Sequence, residues 1–313
     1  MSLSAVKRKA IRNALELKLR RCKGTRLQEF FAELMNIIHG DAFVPTGTDY
    51  SRGDLQCDGI LLVPLTIFAC YGPVNAGTNA TEASMERAVK KVASDFAGAI
   101  KEWPALKSWV FVHNYVEAPA QIVQKILDLR TNNPKLDIKI FGKSGFESAL
   151  LDLDEASIEA LIGDAATEQD FRSLQPEDVL AVVSSIMASV DHDGIPDDAP
   201  VVVPDQKLYF NGLSSICKQR IVDGLQNANR VATLLLDHQD PMLDARLASI
   251  FKAKYFELRA QSIHPDDILF ELRDFAAMEK KTTARREVAV WSLLAHFFEK
   301  CTIFEDAPVE AVA

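Results

Sequence analysis

Arg52-Gly53-Asp54-Leu55-Gln56-Cys57-Asp58-Gly59-Ile60 is the stretch on which the fold of this chain turns. It sets two carboxylates, Asp54 and Asp58, at the start and on the body of an expected strand. Strand side chains alternate between faces, so residues four apart share a face when both are extended. Two neighbouring hard oxygen donors suit Mg²⁺, which takes one or two carboxylates plus waters and phosphate oxygens. Such an ion would generate hydroxide and brace a scissile phosphate. A plainer reading stands beside it: Asp54 caps a turn, and Asp58 sits next to Gly59 at a bulge.

Working outward, Leu55 to Val63 and Leu65 to Tyr71 read as two strands with Pro64 at the turn, preceded by a short extended piece, Ala42 to Val44. Before them come two helices, residues 4 to 21 and about 26 to 38. The second carries Leu27, Phe30, Phe31, Leu34, Met35 and Ile38 at helical spacing. After them a helix capped by Asn79 or Thr81 runs to about Glu102. Then follow a buried strand (Ser108 to Val112), a helix (Pro119 to Arg130), a strand (Leu136 to Phe141), and two short helices around 145–151 and 155–162. Strands alternating with crossover helices predict an α/β sheet. It should be mixed, because the first strands are joined too tightly for crossovers. Beyond it the spacing predicts helix over 170–190, an acidic Gly/Pro linker over 191–200, and helices over 214–236, 241–260, 265–278 and 285–300.

Composition adds exclusions. The 313 residues are 48% hydrophobic and 25% charged, which is the balance of a globular chain and allows two cores. The most apolar run, Ile60 to Tyr71, is too short to span a bilayer. The five cysteines lack a CxxC pair and fit reduced thiols, so the expected setting is the cytoplasm, with no membrane. Net charge is −9, yet residues 1–26 hold nine basic side chains against the single acid Glu16. Arg8, Lys9, Arg12, Arg20, Arg21 and Lys23 in that segment could track a phosphate backbone, as could a second cluster of Lys280, Lys281, Arg285 and Arg286. The alternative is a solvated basic face, or one that docks on acidic protein.

The pattern Gly53-Asp54-x-x-x-Asp58-Gly59, a strand ending Phe68-x-x-Tyr71-Gly72-Pro73, a helix with Asp95-Phe96, and Trp109-Val110-Phe111-Val112-His113-Asn114 resembles nuclease-like domains of the PD-(D/E)XK class found in bacterial anti-phage systems. The segment Phe297-Phe298-Glu299-Lys300-Cys301-Thr302-Ile303-Phe304-Glu305 is similar to the end of C-terminal domains in ABC-ATPase three-component, Lamassu-like systems. The resemblance implies a restriction-endonuclease-like mixed sheet flanked by helices over residues 1–165, a helical connector and acidic linker over 166–204, and a helical partner-binding or oligomerisation domain over 205–313. It also implies Mg²⁺-dependent DNA cleavage. Asp58 then matches the acid of the second strand, Asp54 assists it, and the second predicted helix offers Glu29 or Glu33 as the helical acid, with Glu33 preferred.

The third strand departs from that pattern. Ala69 and Tyr71 stand where an acid or amide and a lysine belong, and a phenol cannot supply an ammonium charge to the phosphate. Lys90 or Lys91 on the following helix could replace the lysine. Two readings stay open: a DNA nuclease, or a degenerate nuclease-fold adaptor. Either would work with other defence subunits, an ABC-type ATPase among the candidates, and a homo-oligomer remains open as well.

Other signals are weaker. Gly142-Lys143-Ser144 has the tail of a phosphate loop, but Asp137 stands where its first glycine should be. Asp191-His192-Asp193-Gly194 opens like a calcium loop and lacks the later acids. Cys70 reads as a buried thiol, and His113 as a core histidine or one that orients a site residue.

Overall fold

A computed structural model describes residues 3–47, 57–74, 81–190, 211–278, 282–300 and 303–304. The chain forms two compact units, one of residues Arg12–Ile162, the other of Gly163–Ala313 together with Met1–Ile11. The first helix, α1 (Ala5–Arg21), is divided between them.

The α/β unit continues with α2 (Thr25–His39), β1 (Phe43–Pro45), β2 (Gly59–Leu61), β3 (Thr66–Tyr71), α3 (Glu82–Glu102), β4 (Ser108–His113), α4 (Ala120–Asn132), β5 (Asp137–Phe141), α5 (Lys143–Leu151) and α6 (Glu155–Ile162). The strands lie side by side in chain order. β1, β2 and β3 pair antiparallel, whereas β3, β4 and β5 pair parallel. The expected mixed sheet flanked by helices is therefore present. Its polarity changes at β3, where hairpins give way to the α3 and α4 crossovers.

All six residues of β4 are buried, as a strand covered on both faces requires. Alternation along β3 and β4 then separates two cores. Ile67, Ala69, Trp109 and Phe111 pack with Ala88, Val92 and Phe96 of α3 and with Ile122 and Ile126 of α4. Phe68 faces the other way, into a ring cluster of Phe31 from α2 with Phe43, Phe141 and Phe146. Thr81 caps α3 by accepting the Ser84 N–H at 3.2 Å, one of the two residues expected to do so. Asn79, the other, lies outside the described residues.

The helical unit comprises α7 (Glu168–Arg172), α8 (Pro176–Ser189), α9 (Ser215–Leu225), α10 (Ala228–Leu236), α11 (Leu243–Ala260), α12 (Pro265–Ala277) and α13 (Ala284–Glu299). Its centre is α13, buried on every side from Val288 to Phe298, which is the pattern of a helix enclosed by others. It packs on α9 above all, and on α8, α10 and α12.

Two stretches expected as single helices are each broken. The first splits at Ser173–Gln175, where Thr167 and Asp170 form a capping box for α7 and Pro176 opens α8. The second splits between Leu225 and Ala228. There Asn227 is buried and its Nδ2 donates to the Phe171 carbonyl at 2.9 Å and to Ser292 Oγ at 3.2 Å. One side-chain amide serving two buried acceptors holds the break open.

A buried ion network ties α12 to α13. Arg273 donates to both carboxylate oxygens of Glu287, and Thr282 Oγ1 and Trp291 Nε1 donate to it as well. Burial alone would raise the Glu287 carboxyl. The Arg273 charge and these hydrogen bonds outweigh it and hold the group at about 2.

Candidate functional site

Asp58 stands immediately before β2. Gly59 is in register with Phe68, and the Asp58 N–H also donates to the Phe68 carbonyl at 2.8 Å. Two residues of one strand against one of the next make a β-bulge, the plainer reading of this dipeptide. Glycine is required beside it, because a Cβ at Gly59 would lie 2.5 Å from the Phe43 ring.

The Asp58 side chain is 9% exposed and both of its oxygens are engaged. Oδ2 accepts the backbone N–H of Cys70, and Oδ1 accepts Gln28 Nε2 from α2. The carboxylate thus satisfies a strand donor that the bulged ladder leaves over. Burial drives the Cys70 thiol well above its ordinary range, with the Asp58 and Cys57 charges adding to the effect.

The other expected residues are dispersed. Glu33 is exposed on α2, five residues on from Gln28 and so roughly 140° around the helix from it. Glu29 is exposed too. Ala69 is 1% exposed and belongs to the core against α3. Tyr71 is half-buried on that same face, its ring 6.1 Å from Phe111. Burial raises its phenol, opposed by positive charge from Arg87 and Lys91. Lys91 Nζ donates to Asp95 at 2.7 Å, and Lys90 is exposed.

Lys91 and Tyr71 therefore belong to the α3 face of the sheet, while the Asp58 carboxylate is held by Gln28 of α2. Among the described residues, no group of three His, Cys, Asp or Glu side chains is placed to hold a metal ion. Asp54 lies outside the described residues, as do Gly53, Lys280, Lys281 and the acidic linker 191–204.

Two residues that the sequence reading passed over contribute here. Gln28 is the side chain that reaches Asp58, and only its place on the same amphipathic helix as Glu33 could have flagged it. Arg87, one turn before Lys91, brings the second cation to Tyr71.

At the end of β4, His113 is 1% exposed. Its Nδ1 accepts the Tyr115 N–H at 3.2 Å, which assigns the ring proton to Nε2. Burial lowers its pKa to about 4. The ring packs onto Gly142, where a Cβ would fall 2.5 Å from Cε1.

The basic residues mostly meet acids of their own unit. In the α/β unit, Arg12 pairs with Glu147 at 2.5 Å, and Glu16 takes both Arg20 at 2.9 Å and Lys143. In the helical unit, Lys7 pairs with Asp164 at 2.9 Å, Lys9 with Glu168 at 2.7 Å, and Arg285 with Asp178 at 3.1 Å. Arg286 donates to the Ala277 carbonyl and to Ser185, and Arg8 to the Leu3 carbonyl. Arg21 and Lys23 are half-buried. Of the basic residues expected to track phosphates, Lys9, Arg12, Arg20 and Arg285 are thus ion-paired within their own units.

No described helix is long and apolar enough to cross a membrane. Residues 177–305 match the family model of C-terminal domain 10 of the ABC-three component (ABC-3C) systems. The match falls within the helical unit, beginning in α8 and covering α9 to α13. No curated protein and no solved structure matches the chain.

Proposed function

We propose that this chain is a subunit of an anti-phage assembly of the ABC-three component kind, in which the helical unit joins partner subunits. In this reading the α/β unit is a nuclease-type fold of PD-(D/E)XK ancestry that has lost its cleavage chemistry and serves as a platform. The match over residues 177–305 supports the assembly role. Loss of chemistry rests on one observation: Asp58 is committed to Cys70 and Gln28, while Lys91 and Tyr71 occupy the opposite face of the sheet.

A second reading keeps DNA cleavage, with Mg²⁺ on Asp58, Asp54 and Glu33. The placement of Asp58 just before β2, where the PD-(D/E)XK pattern wants its first acid, favours it. Plasmid DNA incubated with the purified chain and Mg²⁺ or Mn²⁺, beside Asp58→Asn, separates the two. The platform reading expects no cutting. Cutting that Asp58→Asn abolishes would replace it with the nuclease. The assembly role is tested in cells carrying the complete system. Deleting this chain should abolish protection against phage, and protection that persists without it would refute the role.

A further inference from the structure

The helical unit contains an open groove of about 730 Å³ that the expected chemistry does not use. Its walls are the start of α8 and the outer side of α10, and its floor is apolar, formed by Leu174, Val179, Val231 and Leu234. Arg172 and Arg230 stand exposed at its mouth, with Asp237 as the one acid of the lining. Arg230 Nη1 donates to the Arg172 carbonyl at 3.3 Å. Of the acids just before Arg172, Glu168 pairs with Lys9 and Asp170 accepts hydrogen bonds from Thr167. Neither guanidinium joins an ion pair among the described residues. Two guanidinium groups against the one carboxylate of Asp237 leave the lining net positive, on a chain whose net charge is −9.

We infer that this groove is a docking site for an acidic amphipathic helix of a partner protein. The apolar floor removes a hydrophobic stripe from water, and the two guanidinium groups meet carboxylates flanking that stripe. A helix suits the trough because its walls are helices, and the unit offers no strand edge among its described residues to which an extended segment could add. The charge at the mouth supplies orientation and selectivity, and the floor supplies affinity. This inference rests on the assembly role proposed above and gives it a surface and a partner chemistry.

The probe is a labelled synthetic amphipathic helix of leucine and glutamate, compared by fluorescence anisotropy with the same helix carrying lysine in place of glutamate. The intact chain should bind the glutamate helix about tenfold more tightly than the lysine helix, and less so at high salt. Leu234→Asp should abolish binding. Arg172→Glu with Arg230→Glu should reverse the preference while leaving the floor intact. Leu236→Asp, on the same helix but outside the groove, should change nothing.

Equal affinity for both helices, or binding that survives Leu234→Asp, would overturn the inference. So would self-association that Leu234→Asp removes, since the occupant would then be a second copy of this chain. Displacement of the probe by duplex DNA would overturn it in favour of nucleic acid. Loss of phage protection is read separately: a groove that binds the probe in a chain dispensable for protection refutes the assembly role and leaves the docking chemistry standing.

Discussion

The carboxylate of Asp58 accepts the backbone N–H of Cys70, twelve residues along the chain and on the neighbouring strand. A side chain thereby takes the place of the main-chain acceptor that the bulge displaces. Asp58→Ala should leave a buried amide unpaired and cost about 1–3 kcal/mol. Asp58→Asn, whose carbonyl oxygen still accepts, should cost less. Urea midpoints of the three proteins check this. A carboxylate kept for metal chemistry behaves differently, because removing it leaves stability unchanged or raises it. An unchanged midpoint for Asp58→Ala would sink the structural role.

Gly224 on α9 sits against the α13 backbone. A Cβ there would lie 2.3 Å from the Trp291 carbonyl oxygen and 2.8 Å from the Ala295 Cβ. Helix propensity alone says that Gly→Ala stabilises by about 1 kcal/mol. The contact reverses that sign, because the obstructing atoms are backbone and cannot rotate away. Gly224→Ala is expected to lose about 2 kcal/mol as the two helices are forced apart. A melting temperature at or above that of the parent chain would refute the close crossing.

His113 makes stability depend on acid. Burial lowers its pKa from 6.5 to about 4, so the unfolded chain takes up a proton that the folded chain refuses. The contribution is complete above 6.5 and is lost as pH falls toward 4. At pH 5 the loss amounts to about 2 kcal/mol. His113→Asn should flatten the stability profile across that window. Equal slopes for both proteins between pH 6.5 and 4 would show that the imidazole is not held neutral.

The order of strands and helices was legible because Trp109-Val110-Phe111-Val112 and its neighbours form short apolar runs separated by turn residues. The mixed polarity followed from the tight link across Pro64. What the sequence did not disclose is which face each site residue would use. The bulge at Asp58-Gly59 changes the local register, and the one-residue alternation of Phe68, Ala69, Cys70 and Tyr71 then separates Asp58 from the cations of α3. Pairing across long separations was equally hidden. Lys7 meets Asp164, Lys9 meets Glu168 and Arg12 meets Glu147, so three of the nine cations of that basic segment pair with acids far along the chain. The helix break at Asn227 depends on tertiary hydrogen bonds that periodicity cannot register, whereas the break at Ser173 follows the local Thr167–Asp170 capping box and Pro176.

The discontinuous make-up of the helical unit bears on how the molecule matures. Residues 12–162 can collapse as soon as they leave the ribosome, whereas the first eleven residues belong with a unit synthesised afterwards. The pairs that Lys7 makes with Asp164 and Lys9 with Glu168 can form only once that later stretch has emerged, so the start of the chain is fastened last.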